Sequence, residues 1–136
     1  VSLESALSYH GLIPEAVFQV ASATTRRSRI FTTPMGRFEF HRVPCNEPRA
    51  GVRVEKLDAD AWAFVASPLR AIADLVYLRK SVSWNSDGLR FLTESMRIDE
   101  SDLHDLSFAC FNDICRSFRN RRTRDYLTGL RKELRQ

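Results

Sequence analysis

Apolar and polar positions alternate along this chain in two rhythms, a period of two in the first half and a helical period in the second, with one nearly all-apolar stretch between them. That stretch, Ala66-Ser67-Pro68-Leu69-Arg70-Ala71-Ile72-Ala73-Asp74-Leu75-Val76-Tyr77-Leu78, carries two helix-start signals, an N-cap serine and a proline at the first helical position. Leu69, Ile72, Ala73 and Val76 share one face, and Ala71, Leu75, Tyr77 and Leu78 cover much of the rest. A helix apolar nearly all round is buried, so the pattern predicts a central rod around which the chain packs.

Upstream, Ser2 is placed to cap a short helix with Leu3, Ala6 and Leu7 on one face, stopped by Gly11, with Pro14 soon after. Residues 17–24, 29–33 and 36–43 then read as strands, and Thr33-Pro34-Met35-Gly36 as the turn between two antiparallel ones. Phe38 and Phe40 alternate with Arg37, Glu39 and His41; one wet face follows, with the Phe pair expected against the buried helix and His41 in solvent. Val52, Val54 and Leu57 suggest another strand, Asp58-Ala59-Asp60 a turn, and residues 62–65 the strand that pairs back.

After Lys80 the pattern is helical. Ser86 or Asn85 is placed to cap a helix holding Leu89, Leu92 and Met96, and Asp99, with Asp102 at N3, to cap the next. That second helix carries two stripes, Leu103, Leu106, Cys110 and Ile114 beside Phe108, Phe111, Cys115 and Phe118, hence contacts on two sides. Tyr126, Leu127, Leu130 and Leu134 face inward on the last helix, with Arg121, Arg124, Arg131 and Arg135 beside them. Gly129 weakens it by about 1 kcal/mol relative to Ala, so it needs docking. The fold class is α/β in the broad sense (α+β): a small, mainly antiparallel sheet of four or five strands, a central buried helix and a helical C-terminal part. Residues 1–80 form the sheet-plus-helix core and 81–136 a helical extension packed on it as one unit.

Charge changes this picture more than composition does. The net charge of +4 is segregated: residues 24–42 carry five bases against one acid and residues 116–136 eight against two, while 43–115 carry twelve acids against eight bases. Arg26, Arg27 and Arg29, read as lying at a hairpin tip, and the group Arg116, Arg119, Arg121, Arg122 and Arg124 are the candidate contacts for phosphate or an acidic partner, a solvated face being the plain alternative. Aromatics are not interleaved with either block in the sequence, as single-strand binders have them.

Reactive constellations are missing. There is no G-x-x-x-x-G-K-[ST], G-x-G-x-x-G, H-E-x-x-H or G-x-S-x-G, and a nuclease-like Glu-x-Lys fails by one residue at Glu55-Lys56. Cys45, Cys110 and Cys115, odd in number and irregularly spaced, suggest no disulfide framework and a reducing cytoplasm. With His10, His41 and His104 scattered, no metal site and no cofactor are expected. Asp74 inside the apolar rod is either a perturbed acid at a site or an ion pair with Arg70 one turn earlier; the spacing favours the pair. No run is long enough to cross a bilayer. The chain opens on Val1 rather than Met and is expected to be a piece of a longer one.

Four blocks, in order, carry a resemblance: Ser2-Leu3-Glu4-Ser5-Ala6-Leu7-Ser8-Tyr9-His10-Gly11-Leu12-Ile13-Pro14-Glu15, Thr24-Thr25-Arg26-Arg27-Ser28-Arg29, Thr33-Pro34-Met35-Gly36-Arg37-Phe38, and Ala66-Ser67-Pro68 through Asp74-Leu75-Val76-Tyr77-Leu78. Together they resemble the C-terminal domain of the AbiEi family, antitoxins and transcriptional regulators of type IV toxin–antitoxin systems, over about residues 2–80. With reactive constellations missing the domain is expected to be non-enzymatic, and the resemblance implies an α/β domain that normally follows an N-terminal winged helix-turn-helix, the module that binds operator DNA. It also implies a functional link to a nucleotidyltransferase-like toxin, countered in several systems without a stable complex. These residues include no winged-helix segment, so operator recognition does not carry over to them. Cys45-Asn46-Glu47-Pro48-Arg49-Ala50-Gly51 replaces the aromatic segment many relatives have before that glycine.

Overall fold

The central rod is helix α2, Pro68–Leu78, with every residue from Leu69 to Val76 buried. In this computed structural model, which describes residues 1–13, 19–34, 36–56 and 62–135, the Ser67 hydroxyl accepts from the Arg70 amide at 3.2 Å, and Pro68 occupies the first turn. Both start signals therefore operate as the sequence predicts.

Helix α1, Leu3–Tyr9, precedes five strands: β1 Gln19–Thr24, β2 Arg29–Thr33, β3 Gly36–Arg42, β4 Val52–Lys56 and β5 Trp62–Ala66. The class is α+β. The strands divide into a three-stranded sheet of order β1-β3-β2 and a two-stranded sheet of β4 and β5, rather than one sheet of four or five. β2 and β3 pair antiparallel across the predicted turn, as do β4 and β5, whereas β1 runs parallel to β3. The start of the chain splices the sheets: Ala66 N donates to Val1 O, and Ser2 N to Ala21 O, both at 2.9 Å. The expected strand start at Val17, the turn residue Met35, and Leu57 with the Asp58-Ala59-Asp60 turn lie outside the described residues.

Ser2 holds the N-cap position of α1 but makes no capping bond. Its hydroxyl donates instead to Asp74 Oδ2 at 2.6 Å. Asp74 Oδ1 accepts from Arg70 Nε at 3.0 Å, so the carboxylate is the ion-paired one the spacing favoured. Arg70 also donates to Ala50 O at 2.9 Å and lies 5.2 Å from the Phe118 ring centroid. Burial pushes the Asp74 carboxyl above its ordinary range, against the pull of Arg70 and Ser2. For Arg70, burial acts downward, but the Asp74 charge and Cys45 carry the guanidinium upward overall. A buried charge with its partner one turn away and its remaining donors on a loop locks that loop to the rod.

The helical half differs from the expected pattern in three places, one being that Asp99 holds the N-cap position before Glu100–His104 without making a capping bond. Ser83, not Ser86 or Asn85, caps α3, Trp84–Asp87, accepting from the Ser86 amide at 3.2 Å. Its own amide is taken by the Asp87 carboxylate at 3.0 Å, a reciprocal arrangement that fixes the start two residues early. A π-helical turn, Phe91–Ser95, follows.

The two-stripe helix is two helices, α4 Glu100–His104 and α5 Phe111–Ser117. Ser107 Oγ accepts from the Ala109 amide at 3.2 Å and gives the backbone a turn in place of a continued helix. Cys110, on the left-handed side at φ 63°, restarts it and is exposed rather than part of a stripe. The last helix, α6 Arg121–Leu134, is capped by Asn120, whose Oδ1 accepts from the Thr123 amide at 2.9 Å. One hydrophobic cluster runs from Leu3 and Leu7 through the rod to Phe118, Leu127 and Leu130.

Candidate functional site

The loop arginines do not sit on a hairpin tip. β1 and β2 flank β3 on opposite sides, so residues 25–28 carry the chain across the C-terminal end of β3. That crossing is pinned twice, by Arg42 N donating to Ser28 Oγ at 2.9 Å and Val43 N to Thr24 O at 2.8 Å. Its consequence is a meeting of arginines. Arg26, Arg27 and Arg29 gather with Arg42, and all four are exposed. Among the described residues no acid pairs with any of them.

Register settles which side chains flank this end. Arg29 faces Phe40, and Phe31 faces Phe38, across the β2–β3 ladder, while Val20 and Ser22 of β1 face Phe38 and Phe40. Directly opposed residues share a face, so Phe31, Phe38, Phe40, Arg29 and Arg42 lie on one side of the sheet. Ala21 and Ala23 lie on the other, and it is the alanine side that packs on the hydrophobic cluster. The expectation that Phe38 and Phe40 face the buried helix is thus reversed. Small residues on β1 let α1 approach closely, with Ala21 N donating to Ser5 Oγ at 2.8 Å. The Phe side is left outward: Phe38 and Phe40 are half-buried, and Phe31 is 40% exposed. Phe31 and Phe40 meet edge to face at 5.9 Å, with the Arg29 guanidinium 4.7 Å over the Phe31 centroid. Glu39 projects to the alanine side, held by Arg37 at 3.0 Å and His41 at 3.3 Å, so His41 is half-exposed and engaged rather than free in solvent.

The C-terminal arginines are engaged unequally. Arg122 turns inward and donates to the carbonyls of Val76 at 2.6 Å, Tyr77 at 3.0 Å, Arg79 at 3.2 Å and Val82 at 2.7 Å. It closes the C-terminal end of α2, where four carbonyls lack helical partners and the helix dipole is negative; burial pulls its pKa downward. Arg116 pairs with Asp113, and Arg121 reaches Asp125 at 3.6 Å. Arg131 on α6 and Arg135 just past its end lie over the rings of Phe111 and Phe108. Arg119 and Arg124 are exposed, and among the described residues no acid pairs with either.

Arg42 is the site residue that sequence reasoning passed over. Period two places it with Phe38 and Phe40, which was the available signal; the crossing over β3 that brings the loop to it was not. A cavity of about 620 Å³ elsewhere is lined by His10, Glu55, Cys110 and Asp113 among others. His10 Nε2 lies 2.9 Å from Ala66 O there, and Asp113 is engaged by Arg116. Among those residues, no three His, Cys, Asp or Glu side chains gather as a metal-holding group, and no helix is long and apolar enough to cross a membrane. Comparison with family models, curated proteins and solved structures finds no match.

Proposed function

We propose that this chain is the antitoxin domain of an AbiEi-like type IV toxin–antitoxin regulator, a non-enzymatic cytoplasmic domain that counters a nucleotidyltransferase-like toxin and assists autoregulation. The observation that carries the reading is the arginine end of the three-stranded sheet. Arg26, Arg27, Arg29 and Arg42 are exposed there, and none is neutralised by an acid among the described residues. The four ordered blocks of the resemblance support it from the sequence side. Operator recognition belongs, on this reading, to a winged-helix module outside these 136 residues. Guanidinium groups match phosphate and carboxylate bidentately, which suits an anionic partner surface.

The test is charge reversal. Arg26→Glu, Arg27→Glu and Arg29→Glu together should abolish rescue of growth from the toxin while leaving the melting temperature within a few degrees, as exposed substitutions do. Rescue at the wild-type level by that variant removes the reading. A second reading, a stand-alone nucleic-acid-binding module, is favoured by the exposed Phe31 ring beneath Arg29. A steep fall in DNA retention with salt, in a gel-shift series with the isolated chain and without any toxin rescue, would select it.

A further inference from the structure

The face that register assembles on the three-stranded sheet combines rings and cations. Its members from β2 and β3 are Arg29, Phe31, Phe38, Phe40 and Arg42. β1 adds Val20, Ser22 and Thr24, and no acid lies among the residues paired on this side. The one acid of these strands, Glu39, projects to the opposite side and is held there by Arg37 and His41. Phe31, 40% exposed, contributes nothing to the hydrophobic cluster.

We infer that this face binds single-stranded nucleic acid, with a base stacked on Phe31 and the phosphates following Arg29, Arg42, Arg26 and Arg27 over the end of the sheet. The inference rests on the reading of the arginine end as the contact surface and names the class of partner it takes. Two observations select the occupant. The charge is of one sign and unneutralised among the described residues, which fits a polyanion.

The rings are the second. In a duplex the base faces are hidden in the stack and only the backbone would meet the arginines, leaving Phe31 without a role. A single strand offers π-faces and phosphates together, and a sheet presenting aromatics beside cations is how such strands are held without sequence readout. The Arg29 guanidinium 4.7 Å above Phe31 marks the position. A base takes that place on the ring, and Arg29 moves to the phosphate or stacks on the far side of the base. Phe40, edge-on to Phe31 at 84°, fixes the ring plane rather than stacking itself.

The experiment is fluorescence anisotropy with the 136-residue chain and labelled oligouridine, oligothymidine and duplex DNA, each of about twelve nucleotides or base pairs, a length within one sheet's reach. Single strands are expected to bind more tightly than duplex. Phe31→Ala and Phe31→Leu should each weaken single-strand binding by at least about fivefold with the salt slope unchanged. Phe31→Trp should retain it. Arg26→Ala and Arg27→Ala should each lower the salt slope by about 0.7 per lost phosphate contact.

Duplex binding equal to single-strand binding and indifferent to Phe31 overturns the inference. So does the absence of any nucleic-acid binding; if the triple charge reversal still abolishes toxin rescue in that case, the proposed function stands and its partner is an acidic protein. Phe31-dependent single-strand binding alongside rescue that survives charge reversal supports this inference and overturns the proposed function.

Discussion

Replacing Arg122 with Met removes one guanidinium and keeps the aliphatic stem. It strips the end of α2 of a donor that reaches four carbonyls, at 2.6 Å for Val76 and 2.7 Å for Val82 among them. A hydrogen bond to a charged group contributes about 1.5–3 kcal/mol, but the four do not add. The Arg79 carbonyl is exposed, and water replaces the lost donor there. The acceptors of Val76 and Val82 are partly buried, and about 1 kcal/mol each is a fair share, with up to about 1 kcal/mol more from the lost charge at the negative helix end. The expected loss is therefore about 2–3 kcal/mol. Unfolding entropy of about 2.1 cal/mol/K per residue, over 136 residues, makes that up to about 10 °C in Tm. Far-UV circular dichroism melts of Arg122→Met beside Arg124→Met, an exposed arginine on the same helix, check it; Arg122→Lys should recover part, since an ammonium reaches fewer carbonyls. If Arg122→Met melts together with Arg124→Met, the guanidinium is no helix closure and its place among the partner contacts reopens.

Two further outcomes follow from the packing of α6. A Cβ on Gly129 would lie 2.5 Å from the Trp84 ring; Gly129→Ala therefore lowers the denaturation midpoint by an overpacking penalty of about 1–3 kcal/mol that exceeds the propensity gain of about 1. In a Trp84→Leu background the same change should turn stabilising, and a raised midpoint in the wild-type background would refute the contact. Tyr126 is fully buried, its hydroxyl donates to Gly88 O at 2.8 Å, and burial, with Asp87 adding, pushes its phenol well above the ordinary value. The unfolded phenol ionises near pH 10, so above that the folded state holds a proton the unfolded state has lost, and stability falls as pH rises. Tyr126→Phe should flatten that alkaline limb while costing about 1 kcal/mol at neutral pH; an unaltered limb in urea titrations between neutral and alkaline pH would show that the group titrates normally.

What the sequence made readable were features decided within one or two turns. Ser67 and Pro68 start α2 because cap and proline act on amides at most three residues away. The Arg70–Asp74 pair followed from i,i+4 spacing alone. Ser2 shows the limit: its position before α1 is that of a cap, but the hydroxyl is claimed by a carboxylate 72 residues on, which no local rule weighs. The same holds for the two sides of β3. Alternation separates Phe38 and Phe40 from Glu39 and His41, yet which side is inward is decided by the alanines of a parallel neighbour. Gly129, read from propensity as a weak point of α6, is where the helix comes close enough to accept Trp84.

The division among the arginines has a physical origin that charge density along the chain conceals. Arg121 and Arg122 stand in the first turn of α6, directly after its Asn120 cap, where the helix dipole disfavours a cation. A guanidinium placed there is tolerated when a stronger negative end lies within reach, and the C-terminal carbonyls of α2 supply one. Arg116, three residues after Asp113, and Arg121, four before Asp125, have acids at helical spacing. Residues 24–29 have neither device: no helix end to close, and no acid among themselves. On β3 the nearest acid, Glu39, is carried to the other side by the pleat that sends Arg42 to this one. A basic block inside helices is partly absorbed by the fold that contains it, as Arg122 is, while one on a loop that must cross a strand end is left facing outward. That asymmetry leaves four exposed arginines without an acid partner at the β1–β2 crossing and its flank, among the described residues, where the helical block keeps Arg119 and Arg124.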